Sequence, residues 1–165
     1  EANYPNWPEY LQKGIVKIKA TTFVSLLVSR QSILQVGLPI KEFFIWGDDT
    51  EFTLRLAKAG FQGFLIGNSI VRHLRPGKHG LDIRNETNLQ RIQLYTHLYK
   101  NTIYLNRQYS LMPQFQYIYK SLMRAIACLI KYKEPVKPWA ILKGLLKGFL
   151  FHPKIVYCQK NDAPN

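Results

Sequence analysis

The sequence predicts an α/β fold, because short segments with the alternation of β-strands are interspersed with helical patterns over the first 110 residues. Two properties of the composition agree with a folded chain. Hydrophobic residues make up 47% and charged residues 20%, which is typical of a globular protein. A length of 165 residues is enough for one domain with a hydrophobic core.

The first elements are predicted from β-patterns and turn residues. Residues 14–20 alternate between apolar and basic side chains, which favours a short strand. Residues 21–29 are rich in β-branched and apolar side chains and predict a buried strand. A short helix is expected over residues 30–35, ended by Gly37.

A pair of adjacent acids lies at the centre of the chain. A strand-like apolar run, residues 43–46, precedes Asp48 and Asp49. Apolar positions at helical spacing then predict a helix over residues 49–59, and Gly60 stands where a left-handed C-cap is needed.

Two interpretations of the acids are open. In the first they cap the helix: Asp48 is the N-cap, Glu51 follows three residues later, and acids favour the positive end of a helix. In the second, Asp49 is presented as a catalytic base at the end of the strand-like run. Arg55 is expected to pair with Glu51 one helical turn away.

The next region predicts two short strands, residues 64–66 and 69–71, separated by a Gly-Asn turn. His73 follows the second strand directly. The loop of residues 75–80 contains two glycines around a basic pair, a composition that suits either a flexible lid or a solvated basic loop. A helix is expected over residues 85–105, where apolar side chains recur every three or four positions.

Beyond residue 110, the helical spacing of apolar and basic residues predicts two basic amphipathic helices within residues 111–152. A Pro-rich segment separates them. Their apolar faces have two possible partners, the surface of an anionic membrane or the rest of the domain. Residues 153–165 predict a polar tail. We therefore expect three regions: residues 1–110, 111–152 and 153–165.

The net charge of +13, from 23 Lys and Arg against 10 Asp and Glu, predicts an anionic partner such as nucleotide phosphates or a membrane surface. No zinc spacing or RNA-binding signature is present, so nucleic acid is not expected as a partner. Two cysteines make no disulfide framework, and the N-terminal residues have no secretory pattern. We expect a cytoplasmic protein at the inner face of the plasma membrane.

Several short segments together resemble the acceptor-side half of family 2 glycosyltransferases, and most closely the rhamnosyl- and galactofuranosyltransferase-like members. They are Val36-Gly37-Leu38-Pro39, Phe43 to Phe52 with the acid pair, Leu54-Arg55, Ala59-Gly60-Phe61 and Tyr99-Lys100-Asn101. The last departs from the family pattern, which has Arg where Lys100 stands. The resemblance covers about residues 15 to 110 and implies part of a GT-A domain, a Rossmann-like α/β sandwich.

The resemblance also implies roles for individual residues. Asp49 matches the general base of the family, and His73 matches a ligand of its divalent metal, Mn²⁺ or Mg²⁺. Trp46, Asp48 and Glu51 are candidates for binding the acceptor, with plain packing or capping as the alternatives for each. Lys78 and His79, in the basic loop, are candidates for contacting a leaving diphosphate.

The implied activity is inverting transfer of a rhamnose- or galactofuranose-like sugar from a nucleotide-sugar donor to a glycan or lipid-linked acceptor, in the synthesis of cell-surface polysaccharide. The chain contains no Asp-x-Asp motif and no Gly-rich phosphate loop. We therefore expect a C-terminal portion of such an enzyme, inactive alone because most of the donor site is missing. The alternative is a non-catalytic module that binds a glycan or a membrane.

Overall fold

The computed structural model describes residues 13–72, 74, 81–131, 133 and 135–158. The described chain is mixed α/β and mostly helical. Its regular elements are β1 (Ile15–Ile18), α1 (Arg30–Val36), α2 (Asp48–Lys58), β2 (Gly63–Ile66), α3 (Leu89–Tyr109), α4 (Gln114–Ile130) and α5 (Val136–Phe149), with 3₁₀ turns at Lys41–Phe43 and Ile83–Asn85. No helix in this part of the chain is both long and apolar enough to cross a bilayer.

The chain folds as two compact units. The first contains residues 13–39, 49–72, 74 and 155–158, and the second contains residues 40–48 and 81–154 with the gaps given above. This division differs from the predicted boundary at residue 110, because α3 packs with α4 and α5 in the second unit.

The first unit contains a two-stranded antiparallel sheet, in which Ile15 of β1 is opposite Ile66 of β2. The predicted strand at residues 14–20 and the strand at 64–66 are confirmed. The predicted strand at residues 21–29 is wrong: Leu27 is 98% exposed and Ser25 has a positive φ of 122°. Among the described residues this segment has no strand to pair with, so its β-propensity has no ladder to support it.

Both glycine stops of the first unit are confirmed. Gly37 ends α1 with a φ of 82°, and Gly60 follows α2 with a φ of 91°, conformations that glycine adopts at low cost. A side chain at position 37 would meet Ile155 and the carbonyl of Val156. Leu38 N donates to that same carbonyl at 2.8 Å. Residues 155–157 therefore pack on the first unit, which corrects the prediction that they belong to a polar tail.

The second unit is built on α3, which packs mainly against α5. The two helices approach closely because Gly144 and Gly148 lie one turn apart on α5, facing Tyr99 and Ile103 of α3. The core contains ten buried side chains, namely Ile83, Ile92, Tyr95, Tyr99, Ile103, Ala125, Cys128, Ala140, Ile141 and Leu145. The predicted helix at residues 85–105 is confirmed with its start moved to Leu89, where the Asn88 side chain caps it.

Two further predictions, for residues 69–71 and for residues 111–152, have different outcomes. The strand predicted at residues 69–71 is absent from the described chain, where those residues are irregular. The two helices predicted within 111–152 are confirmed as α4 and α5.

Candidate active site

The acid pair lies at the start of α2, which begins at Asp48 itself. Asp48 is therefore the first helical residue and not the residue that precedes the helix. The carboxylate of Glu51 is held by Arg55 within the helix. The predicted N-cap position of Asp48 is corrected accordingly, because the helix already includes this residue.

Asp49 occupies the first turn of α2 and is partly exposed. Its Oδ1 accepts a hydrogen bond from Thr50 N at 2.7 Å and a longer one from Thr50 Oγ1 at 3.3 Å. No described residue donates to the other oxygen, Oδ2. Among the described residues, the carboxylate is thus held through one oxygen at the positive end of a helix.

Glu51 and Arg55 form a buried ion pair, which confirms the predicted pairing. The side chain of Glu51 is 1% exposed, and Arg55 donates to both of its oxygens, from Nε at 3.1 Å and from Nη2 at 3.0 Å. Arg55 also donates to the carbonyls of Val36 and Leu38. Arg55 therefore fixes the turn after α1 to α2, and Glu51, which pairs with Arg55, is too buried for the predicted acceptor contact.

A groove of about 840 Å³ lies within the first unit, beside the middle of α2. Its lining includes seven side-chain hydroxyls, from Thr21, Thr22, Ser25, Ser29, Ser32, Thr53 and Ser69, among a larger number of apolar residues. Thr53 connects this groove to the first turn of α2, because its Oγ1 donates to the carbonyl of Asp49 at 2.8 Å. The same Oγ1 accepts from Thr21 N at 3.2 Å. Asp49 itself does not line the groove.

Trp46 and Asp48 belong to the second unit. The Trp46 ring is partly buried against Tyr95, with 5.0 Å between ring centroids, and the Arg91 guanidinium lies 5.9 Å from the centroid of the Trp46 ring. Arg91 in turn pairs with Glu86 at 2.7 Å. Packing, one of the two predicted roles of Trp46, is therefore present, and stacking on an acceptor sugar stays a prediction.

The segment before the acids is not a strand, contrary to the prediction. Its backbone makes a 3₁₀ turn and then takes positive φ angles at Phe44 and Trp46, of 66° and 60°, which no strand contains. Gly47 continues the turn with a φ of 91°. Such non-glycine conformations are costly and persist where the surroundings determine them.

Two residues of α3 hold this turn, and neither is among the predicted site residues. Asn101 Nδ2 donates to the carbonyls of Phe43, Ile45 and Trp46, at 3.0, 3.0 and 2.8 Å. Lys100 Nζ donates to the carbonyl of Glu42 at 2.6 Å. We name residues 42–46 the clamped turn. The resemblance of the Tyr99-Lys100-Asn101 segment to the family pattern marks this part of α3 but predicts no contact with the turn.

The charge on Lys100 is unfavourable where it lies. Burial, together with the nearby Lys147, lowers the pKa of Lys100 to about 8, and Glu42 opposes the shift. The ammonium also stands 4.1 Å from the centroid of the Phe151 ring. Burial, Lys100 and Lys147 likewise lower the pKa of His97, whose ring packs on Phe44.

The remaining predicted site residues, His73, Lys78 and His79, lie outside the described residues. Within the described part of the chain, no three His, Cys, Asp or Glu side chains come together in a group able to hold a metal ion. Asp48 and Asp49 alone do not make a metal site, so the predicted Mn²⁺ or Mg²⁺ stays a prediction that depends on other residues.

Comparison of the chain with protein-family models, with curated proteins and with solved structures finds no match.

Proposed function

We propose that this chain supplies the acceptor side of an inverting glycosyltransferase of the GT-A type, with Asp49 as the general base. The observation that carries the proposal is the state of the Asp49 carboxylate. One oxygen is fixed by Thr50, the other receives no hydrogen bond from a described residue, and the side chain is partly exposed at a helix N-terminus. The order of sequence segments around it, from Gly37 to Phe61, supports the same assignment.

In the proposed reaction an acceptor hydroxyl attacks C1 of the donor sugar. The new C1–O bond forms as the bond from C1 to the nucleotide diphosphate breaks, which inverts the configuration at C1. The hydroxyl proton passes to Oδ2 of Asp49, and the bonding electrons leave with the diphosphate. A positioned base of this kind typically contributes about 10²–10⁴-fold to the rate.

The groove of the first unit, in which Thr and Ser side chains lie among apolar ones, supports a carbohydrate acceptor. Its Thr and Ser side chains both donate and accept hydrogen bonds, which suits the hydroxyls of a glycan. The net charge of +13 suits a donor that carries a diphosphate. A divalent metal would stabilise that leaving group when bound, and His73 is the residue of this chain assigned to it by the resemblance.

The test is Asp49→Asn in the complete protein that contains this chain, assayed for sugar transfer from a nucleotide-sugar donor. We expect transfer to fall by about 10²-fold or more, with donor binding unchanged, because the amide cannot take the proton. The matched control is Glu42→Gln, which also removes one carboxylate and leaves the clamped turn intact, since Lys100 bonds the main-chain carbonyl of Glu42. Transfer retained above about a tenth of normal by Asp49→Asn would rule out the base assignment.

A second candidate function is a non-catalytic module that binds a membrane or a glycan. The observation that favours the membrane is the large amount of exposed apolar surface on α4 and α5. This function needs neither Asp49 nor a donor, so the Asp49→Asn assay separates the two candidates.

A further inference from the structure

The two C-terminal helices bury their small side chains and expose many of their large ones. At about 100° per residue, Ser121, Ala125 and Cys128 of α4 share one face, and all three are buried. A neighbouring face consists of large apolar side chains that remain exposed: Phe115, Tyr119, Leu122, Ile126, Leu129 and Ile130. The face of α4 that carries its large apolar side chains is therefore mostly exposed to solvent.

The same division occurs on α5. Its buried face contains the two glycines that contact α3, together with Ala140, Ile141 and Leu145. Its exposed face carries Trp139 at 65% exposure, Leu146 at 67%, and Leu142 and Phe149. Leu150, directly after the helix, is 85% exposed. Isolated exposed apolar residues are ordinary, but a continuous apolar face indicates a surface that binds a partner.

Lysines border this face. Lys143 and Lys147 are exposed and lie along one edge of the Trp139–Leu146 face, each within about one turn of an exposed apolar side chain. Residues 114–150 contain seven Lys and Arg against one Glu. Part of this charge makes contacts inside the protein: Lys137 donates to the carbonyl of Arg84, and Arg124 donates to the Tyr99 hydroxyl at 3.3 Å.

We propose that α4 and α5 bind the surface of an anionic membrane, with the exposed apolar side chains in the interface and the lysines among the lipid phosphates. We call the exposed residues Trp139, Leu142, Leu146 and Phe149, together with Lys143 and Lys147, the α5 membrane face. An amphipathic helix with Trp and Leu on one side and Lys along its edge is the form that binds such a surface. Tryptophan is favoured at the boundary between lipid and water.

Charge decides between a membrane and a second copy of this chain. A two-fold dimer through the α5 membrane face with antiparallel helices would place Lys143 and Lys147 on the same edge as these lysines of the other copy, which is unfavourable for like charges. An anionic lipid surface provides the opposite charge and apolar burial together. This proposal is independent of the proposed glycosyl transfer.

The experiment is vesicle co-sedimentation of the full chain with neutral phosphatidylcholine vesicles and with vesicles that contain phosphatidylglycerol. We expect binding to the anionic vesicles to be stronger by about tenfold or more, and to weaken as salt is added. Brominated lipid should quench the fluorescence of Trp139. This signal is measured as the difference in quenching between the native chain and Trp139→Phe.

Two pairs of variants make the test specific. Lys143→Glu with Lys147→Glu should lower anionic-vesicle binding by about tenfold or more, whereas Lys19→Glu with Lys154→Glu changes the net charge equally and should have a much smaller effect. Leu146→Ser should weaken binding, and Ile70→Ser, which alters a residue of 89% exposure in the first unit, should leave it unchanged. Circular dichroism confirms that each variant is folded.

Three results would overturn the proposal. The first is equal binding to neutral and anionic vesicles. The second is an equal loss of binding in the two lysine pairs, which would indicate attraction by net charge alone. The third is a concentration-dependent dimer that Leu146→Ser abolishes, in a chain that does not sediment with vesicles, because the face would then be an interface between copies.

Discussion

The side-chain nitrogen of Asn101 lies 2.8 Å from the main-chain oxygen of Trp46, to which it donates a hydrogen bond. The same nitrogen also donates to the carbonyls of Phe43 and Ile45, so its two hydrogens are shared among three acceptors. One buried amide of α3 therefore holds the turn that precedes the acid pair, including its two positive-φ residues, Phe44 and Trp46.

We expect Asn101→Ala to lower the free energy of unfolding by about 2–3 kcal/mol, because each lost hydrogen bond contributes about 1 kcal/mol and leaves a carbonyl unpaired. The measurement is urea denaturation, with hydrogen exchange at residues 42–47 as a local probe. Asn106→Ala is the matched control: Asn106 is equally part of α3 and buried, but its Nδ2 has no partner among the described residues. Equal losses in the two variants would contradict the role given to Asn101.

The buried pair of Glu51 and Arg55 should be far more sensitive than an exposed pair. Arg55→Met removes the cation that pairs with a carboxylate of 1% exposure, so we expect a loss of about 3–5 kcal/mol in urea denaturation. Arg84→Met removes the exposed Arg84–Asp82 pair, and we expect that loss to stay below about 1 kcal/mol. If the two variants lose the same stability, Arg55 does not fix α2 to the turn after α1.

Gly144→Ala should be destabilising although alanine is the better helix former. In an open helix this change stabilises by about 1 kcal/mol. Here the added Cβ would stand 2.6 Å from Tyr99 Cβ and 2.8 Å from the Thr96 carbonyl, so α3 and α5 must separate. We expect a net loss of about 1–3 kcal/mol by thermal denaturation. Lys143→Ala, one residue away on the exposed side of α5, should be near neutral, and a gain in stability from Gly144→Ala would disprove the close approach.

Lys100 should make stability rise with pH. Its pKa is lowered from an ordinary 10.5 to about 8 by burial and by Lys147. Between these two values the unfolded chain binds more protons than the folded chain, so the free energy of unfolding increases as the pH rises through that window. Below about pH 8 the group is protonated in both states and contributes no further change.

The comparison with Lys100→Met isolates this effect. The native chain should gain stability relative to the variant from about pH 8 upward to about pH 9.5, measured by urea denaturation at each pH. The difference is more informative than either curve, because burial raises the pKa values of Tyr99 and Tyr117 in both proteins and lowers stability at higher pH. A difference that does not change with pH would show that Lys100 keeps its ordinary pKa.

The sequence by itself determined the elements that rest on local chemistry. The C-terminal ends of α1 and α2 followed from Gly37 and Gly60, since a glycine with a positive φ ends a helix whatever its tertiary surroundings. The i, i+4 pair of Glu51 and Arg55 followed from helical spacing. The existence of α4 and α5 followed from their periodicity and basic charge.

Only the tertiary structure decided the features that depend on distant residues. The run at residues 43–46 has the composition of a strand, yet it forms the clamped turn. The reason is that Asn101, more than fifty residues away in the chain, donates hydrogen bonds to its main-chain carbonyls. Residues 21–29 also favour a strand, but a strand needs a partner that the described chain does not give them. Likewise the apolar pattern of α4 does not show which side of the helix is buried. Packing, not periodicity, selects the covered face, and that packing depends on how closely α5 approaches α3 at Gly144 and Gly148.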